Sequence, residues 1–235
     1  MLSRVGFSAL VSGAVLAMTS SAFAHVAISS GPGYAGTNQV VTFGVGHGCE
    51  GVDTYKIDVS IPAEVTSVRG VPSTFGDAEV VANDAGVVTG VSWTKTAKLR
   101  AKDDQYYQLS IRIGVPNTPW KTLYFAVKQT CRTPDGTETV VDWNALPAEI
   151  EAAKEGEEPE PAAELHIFPP RSQGWNKFKV TEKIDDLSIF DDAQIVWSGD
   201  AAYSKNAETA ALIKSEDGVT ELTSIAANAE IWVKY

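Results

Sequence analysis

Hydrophobic residues between positions 25 and 143 recur mostly at every second position, in short runs separated by turn residues. The run 55–61 alternates apolar and polar residues until Pro62 stops it, and the run 106–115 has the same period. The predicted strands cover residues 26–29, 40–45, 55–61, 66–71, 79–81, 87–94, 106–115, 122–130 and 138–143. This even spacing, with almost no helical periodicity, predicts a mainly β fold: an antiparallel β-sandwich of immunoglobulin or cupredoxin type over residues 25–147.

The pattern changes after Pro147. Residues 148–170 are rich in Ala, Glu and Pro, which predicts a short helical start followed by a solvated acidic linker. Gathering of metal ions by the acidic run 155–161 is the alternative interpretation. Residues 171–235 predict a small α+β C-terminal module with strands at 175–180, 193–197 and 230–235 and a helix at 206–214. A unit of about 60 residues is only marginally stable alone, so we expect it to pack on the sandwich.

The first 24 residues have the form of a cleaved export signal. Arg4 precedes an uncharged apolar run at 5–18 that is too short for a stable membrane span. Ala22 and Ala24 form the A-x-A pattern that signal peptidase cuts after, so the mature chain is predicted to begin at His25. We therefore expect a periplasmic protein without a stable membrane anchor.

A histidine at a chain terminus has unusual chemistry. Its free α-amine, with an ordinary pKa of about 7.7 to 8, and its ring Nδ1 can close a chelate on one metal ion. Copper(II) is the favoured first-row ion for such a pair of nitrogen ligands. The alternative is that cleavage leaves a histidine at this position by chance.

The net charge limits which molecules the protein can bind, and the cysteine content predicts a disulfide. The chain carries 19 Lys and Arg against 30 Asp and Glu, a net charge of −11 that becomes −12 once Arg4 is removed. Such a surface repels nucleic acid and anionic lipid and attracts cations. The two cysteines, Cys49 and Cys131, are expected to form a disulfide in an oxidising compartment, with a thiolate copper site as the alternative.

Common catalytic motifs do not occur in the sequence. It contains no Gly-x-Ser-x-Gly, His-Glu-x-x-His, phosphate-binding glycine-rich loop or Cys-x-x-Cys, which argues against the commoner hydrolases, zincins, nucleotide enzymes and thioredoxins. Asp103 and Asp104 precede a predicted strand, where they form either a solvated loop or a carboxylate ligand.

Several short segments together carry a resemblance to a known family. They are His25-Val26, His47-Gly48-Cys49-Glu50-Gly51, Ile61-Pro62, Asp103-Asp104-Gln105-Tyr106, Thr122-Leu123-Tyr124-Phe125, Gln129-Thr130-Cys131 and Val141-Asp142-Trp143. Over residues 25–147 the chain resembles the YcnI-like family of exported copper-binding domains. Members of that family bind Cu(II) through a monohistidine brace, in which the terminal amine and imidazole are assisted by a carboxylate and a nearby tryptophan.

The resemblance implies a set of metal ligands in this chain. His25 and Trp143 match the family pattern directly. The carboxylate is implied at Asp104 or Asp103, with Glu50 as a second candidate, while Gln105 stands where some members carry an acid. Trp143 has a structural alternative as a core or rim aromatic, because an indole offers only an N–H donor.

Three functional classes remain open. The resemblance implies a non-enzymatic copper protein that acts in copper homeostasis or passes copper to another periplasmic or membrane cuproprotein. The second class is a copper oxidant of the lytic polysaccharide monooxygenase type, which needs a second histidine, and only His47 or His166 is available. His47 is interpreted as a structural residue near the disulfide and His166 as incidental. The third class is an exported β-domain that binds another protein without metal.

Overall fold

The computed structural model describes residues 25–95 and 102–235, so the predicted export signal at 1–24 lies outside the described residues. The first part of the chain forms twelve of the described strands and one short helix. They are β1 (Ala27–Ile28), β2 (Gly33–Tyr34), β3 (Asn38–Val45), β4 (Thr54–Ser60), β5 (Thr66–Gly70), β6 (Ala78–Ala82), β7 (Val88–Thr94), β8 (Tyr107–Gly114), β9 (Thr122–Phe125), β10 (Val127–Arg132), β11 (Glu138–Trp143), α1 (Pro147–Glu151) and β12 (Ala163–Phe168).

These strands build a sandwich. One sheet has the order β1-β3-β8-β5, the second has the order β11-β10-β4-β7-β6, and a smaller sheet, β2-β12-β9, adjoins them. Inward residues of all three sheets form one buried cluster, in which Phe43 of β3 meets Phe125 of β9 edge to face at 5.5 Å between ring centroids. The predicted mainly β sandwich is confirmed, because the alternating positions face this common core.

The predicted strand at 122–130 is two strands. The chain breaks at Ala126, whose carbonyl accepts a hydrogen bond from Ser60 N–H (2.8 Å). Before the break β9 pairs with β12, and after it β10 pairs with β4 and β11. Continuous alternation in the sequence hides this change of sheet, because the buried positions 123, 125, 127 and 129 keep the same parity on both sides of the break.

The predicted acidic linker also differs from the structure at its C-terminal end. Residues 163–168 form β12, which pairs antiparallel with β9 and parallel with β2. Leu165 and Ile167 are buried, while Glu164 and His166 are more accessible. This alternation has the period of a β-strand, although the composition of the surrounding segment favours a linker. The helical start of the segment is present as α1, and Glu149 accepts a hydrogen bond from Leu146 N–H (2.8 Å).

The C-terminal module is a five-stranded sheet with one α-helix, whereas the sequence predicts the helix and only three of the strands. Its sheet order is β13-β17-β14-β15-β16. The bounds are β13 (Trp175–Lys179), β14 (Ile195–Ser198), β15 (Ala201–Tyr203), α2 (Ala207–Ser215), β16 (Thr220–Glu221) and β17 (Glu230–Lys234), with a 3-10 helix at Leu187–Phe190. The side chain of Asn206 caps α2 by accepting hydrogen bonds from the N–H groups of Glu208 and Thr209, both at 3.0 Å.

Trp120 joins this module to the sandwich. It lies in the loop before β9, yet its ring packs in the core of the module, 5.6 Å from Phe178 and 6.2 Å from Phe190 between centroids. Its indole N–H donates to the carbonyl of Lys179 (2.9 Å). Phe168, at the end of β12, completes the cluster at 5.4 Å from Trp120. The two parts therefore share buried apolar surface.

A second contact lies beside this shared core. The guanidinium of Arg171 stacks 3.9 Å from the ring centroid of Tyr235 and 5.3 Å from that of Tyr34, and it pairs with Asp192 at 2.7 Å. Burial raises the pKa of both tyrosines, so both phenols stay neutral at physiological pH. Across the described part of the chain, every helix is too short or too polar to span a membrane.

Candidate metal centre at His25

His25 lies at the entrance to the first strand. Because β1 runs antiparallel to β3, with Ala27 opposite Gly44, His25 lies at the end of the pair where the chain leaves β3 and continues to His47. The His25 imidazole is half-buried, and its ring centroid is 5.8 Å from that of Trp143 with an angle of 71° between the planes. The structure thus brings together two of the four predicted metal ligands.

Trp143 ends β11 with its side chain turned inward. It is 4% exposed and belongs to the buried cluster of the sandwich. Its indole N–H donates to Oε1 of Gln129 (3.1 Å), which fixes the orientation of the ring. Since the only polar atom of the indole is already engaged, the ring surface rather than the nitrogen is available to His25 and to anything that binds there.

Gln129 holds the parts of this region together. It is only 1% exposed on β10, and its Nε2 donates to the carbonyl of His47 (2.7 Å) and to Oγ1 of Thr54 (2.9 Å). One amide therefore connects the loop after β3 with β4 and, through Trp143, with β11. The sequence analysis did not identify Gln129 as a residue of this site. A signal for it exists, because Gln129 alternates with the buried residues Val127 and Cys131 and therefore points inward, where a polar side chain needs hydrogen-bond partners.

The loop after β3 is fixed by the disulfide. Cys49 and Cys131 are bonded with their Cα atoms 5.8 Å apart, which confirms the predicted pairing. Gly48 has no room for a side chain, because a Cβ there would lie 1.8 Å from the carbonyl oxygen of Val52. His47 Nδ1 contacts the carbonyl of Gly48 within this loop.

The carboxylates implied by the resemblance lie at the surface. Asp104 is exposed in the turn before β8, and Glu50 is exposed in the Cys49–Val52 turn with a backbone φ of 50°. Neither lines the cavity beside His25. The neighbouring Asp103 accepts a hydrogen bond from Gly48 N–H through Oδ1 (2.7 Å), so its carboxylate supports the disulfide loop.

A cavity of about 260 Å³ opens beside His25, and its other lining residues come from the acidic segment. The chain folds back after Trp143, because the N–H groups of Asn144 and Ala145 both donate to the carbonyl of Glu160 (3.0 and 2.8 Å). The folded-back segment forms one wall of the cavity, with the lining residues Ile150, Ala153, Glu157, Glu158, Pro159, Glu160 and Pro161. Three glutamates therefore border the same cavity as His25.

Within residues 25–95 and 102–235, no group of three or more His, Cys, Asp or Glu side chains is gathered closely enough to hold a metal ion. The glutamates line the cavity without forming a compact cage. His166 lies elsewhere: its Nδ1 is 2.9 Å from Thr122 Oγ1 on β9, and it borders cavities lined by residues of the C-terminal module such as Asp186 and Asp191.

Comparison with known proteins gives a match to one family model. A family described as "Domain of unknown function (DUF1775)" matches residues 25–167, which includes β12 except its last residue, Phe168, and ends just before the C-terminal module. No curated protein matches the sequence.

Three solved structures are similar to parts of the chain. An uncharacterised protein from Nocardia farcinica, described as having an immunoglobulin-like fold, is 29% identical, with 61% of this chain and 98% of that chain covered and a TM-score of 0.49. A variant of BcpA, the major pilin subunit of Bacillus cereus, is 11% identical over 89% and 54% of the two chains, with a TM-score of 0.35. A DUF4466 family protein from Parabacteroides merdae is 10% identical over 73% and 51%, with a TM-score of 0.22.

Proposed function

The chain belongs to the DUF1775 family, the YcnI-like domain, over residues 25–167, and on this basis we propose that it binds one copper(II) ion at His25 in the periplasm and passes it to other exported or membrane proteins. The observation that carries the proposal is the position of His25, whose imidazole packs against the Trp143 ring and which lines a cavity bordered by three glutamates.

The ligand pair arises from processing of the chain. In the 235-residue sequence the His25 nitrogen is bound to Ala24, so cleavage after Ala24 creates the amine that chelates together with ring Nδ1. Because both nitrogens belong to one residue, this site does not need a cluster of three ligating side chains. Trp143 presents its ring surface to the bound cation, since its N–H is held by Gln129.

The carboxylate that completes the site has two proposed sources. Asp104 and Glu50 follow from the family resemblance. Glu157, Glu158 and Glu160 follow from the cavity, and their negative charge lowers the free energy of a cation beside His25. Oxygen ligands from a solvated segment exchange more readily than buried nitrogen ligands, which suits a protein that releases its ion.

The test is a copper titration of protein whose His25 terminus has been verified by mass spectrometry. We expect one Cu(II) per chain, and an affinity at least about 100-fold lower when the His25 amine is acetylated, because an acetylated terminus has no free amine to chelate with the ring. His166→Ala serves as the matched histidine control and should bind like the native protein. Equal affinity of the acetylated form would show that the terminal chelate is wrong.

The carboxylate source is tested with paired variants. The triple variant Glu157→Gln, Glu158→Gln, Glu160→Gln is compared with the double variant Asp104→Asn, Glu50→Gln. Weaker copper binding in the triple variant alone assigns the carboxylate to the acidic segment, and weaker binding in the double variant alone assigns it to the residues implied by the family.

A copper oxidant remains the second candidate because of one observation. His47 follows β3 at the same end of the sandwich as His25, and its carbonyl is tied to Trp143 through Gln129. Peroxide-dependent oxidation of a polysaccharide by copper-loaded protein, lost in His47→Ala, would favour the oxidant over the carrier.

A further inference from the structure

Three tryptophans share the outer face of the C-terminal sheet. Trp175 on β13 is 51% exposed, Trp232 on β17 is 47% exposed, and Trp197 on β14 is half-buried. Together with Gly199 they surround a shallow depression of about 420 Å³. The register places Trp197 directly opposite Trp232, while Trp175 lies diagonally across from Trp232 on the other neighbouring strand. We name this surface the tryptophan face.

Lysines alternate with the tryptophans on the same surface. Lys177 is opposite Trp232, Lys234 is opposite Trp175, and Lys179 is opposite Glu230. The Nζ of Lys177 lies 5.7 Å from the centroid of the Trp232 ring and 3.0 Å from Glu230 Oε1. With three lysines and one glutamate, the face is locally positive on a chain whose net charge is −11.

A helix borders the tryptophan face on one side. Ala202 on β15 is opposite Trp197, so both residues point to the same side of the sheet. Ala202 is fully buried and lines a small pocket with Ala210 and Ile213 of α2, which shows that the helix covers this end of the outer surface. The uncovered strands β13, β17 and β14 therefore form a floor beside a wall about one helix diameter, roughly 10 Å, in height.

We propose that the tryptophan face binds a linear polysaccharide that carries carboxylate groups. The flat C–H surface of a pyranose ring stacks on an indole ring, and indoles on three neighbouring strands offer successive stacking sites for a chain that crosses the strands. The lysines between them can pair with carboxylates of the polysaccharide, which gives this face charge complementarity to an acidic chain. The α2 wall keeps a flat bilayer from lying on the floor, whereas a single extended chain fits beside it.

The experiment measures binding of the mature, full-length protein to polygalacturonate, alginate and hyaluronate, with neutral dextran for comparison. We expect a change in tryptophan emission and retention by the acidic polymers, with much weaker retention by dextran. Trp232→Ala and Trp175→Ala should each lower the affinity by about tenfold, the size of a lost aromatic contact. The double variant Lys179→Glu, Lys234→Glu should lose binding to the acidic polymers.

Matched controls lie outside the tryptophan face. Tyr106→Ala removes an exposed aromatic from the sandwich, and the double variant Lys183→Glu, Lys214→Glu reverses two other exposed lysines of the same module; both should bind like the native chain. Circular dichroism of each variant confirms folding, and the lysine variants test the proposal even if a tryptophan variant misfolds.

Three results would overturn the proposal. These are no binding to any of the three acidic polymers, equal losses in the control variants, or tighter binding to vesicles of anionic phospholipid than to polysaccharide. Binding is measured with and without EDTA and should be the same, so the outcome is independent of the copper site proposed at His25.

Discussion

At the scale of single residues, Trp143 belongs to two environments at once. Its buried ring is part of the sandwich core, and the same ring meets the His25 imidazole at 5.8 Å. A core position and a place beside the candidate metal centre are therefore compatible for this residue, although the sequence presents them as alternatives. The hydrogen bond to Gln129 is what holds the ring in both.

Trp143→Phe is accordingly expected to change both stability and copper binding. The smaller ring leaves a cavity and removes the partner of Gln129 Oε1, which should destabilise the fold by about 1–3 kcal/mol. The loss of indole surface beside the ion should weaken copper binding by about tenfold. Thermal unfolding and copper titration of the same preparations measure the two effects.

Trp93→Phe is the matched control for this substitution. Trp93 is fully buried on β7 and its indole N–H also donates one hydrogen bond, to the carbonyl of Val71 (3.2 Å). It should lose comparable stability without any change in copper affinity. If both variants left the copper affinity unchanged, Trp143 would be a core residue alone.

At the scale of elements, the disulfide determines where the loop after β3 lies. It joins this loop to β10 next to Gln129, which in turn holds the carbonyl of His47. The β10 register against β4 shifts between Thr130 and Cys131, so the bonded cysteine lies at an irregularity of the sheet. The disulfide and the Gln129 amide thus position the same loop from two sides.

Removal of the disulfide by Cys49→Ala with Cys131→Ala should destabilise the protein by roughly 4–5 kcal/mol in the chain-entropy account, because the closed loop spans 82 residues. Chemical denaturation measures this difference. Thiol titration of the unsubstituted protein, unfolded without reducing agent, should find about zero free thiols per chain. The fully oxidised protein should keep its copper affinity. Loss of copper on oxidation would instead support a thiolate site.

At the scale of the whole molecule, the C-terminal module depends on the sandwich. Trp120 and Phe168 belong to the sandwich part of the chain but contribute large aromatic rings to the core of the module. The other ten buried residues of this core come from the module, and the two aromatics add buried surface to a unit that is only marginally large enough to fold alone. The module and the sandwich should therefore unfold together in the native chain.

Trp120→Ala should uncouple them. Loss of the ring and of its hydrogen bond to Lys179 is expected to cost about 3–5 kcal/mol and to produce a separate, earlier transition for the module. Calorimetry and limited proteolysis after residue 170 would detect it. Trp175→Ala, on the exposed outer face, should alter stability by only about 0.5 kcal/mol. A single unshifted transition in Trp120→Ala would mean that the module is stable independently.

The sequence alone determined the features that depend on local pattern. Period-two alternation identified most strands because a sheet with one buried face needs apolar residues at every second position. The helix near Asn206 and the turns before Glu138 and Val87 follow from capping and turn chemistry. The disulfide followed from there being only two cysteines, a count that leaves a single intrachain pairing.

Only the tertiary structure decided which distant segments meet. Residues 163–168 have a linker-like composition around them, and they became a strand because β9 and β2 supply hydrogen-bond partners from far away in the chain. In the same way, the acidic segment reached His25 because backbone hydrogen bonds at Glu160 fold it back beside Trp143. The local sequence pattern does not predict such pairings, because the contacts that stabilise them join residues that are far apart in the sequence.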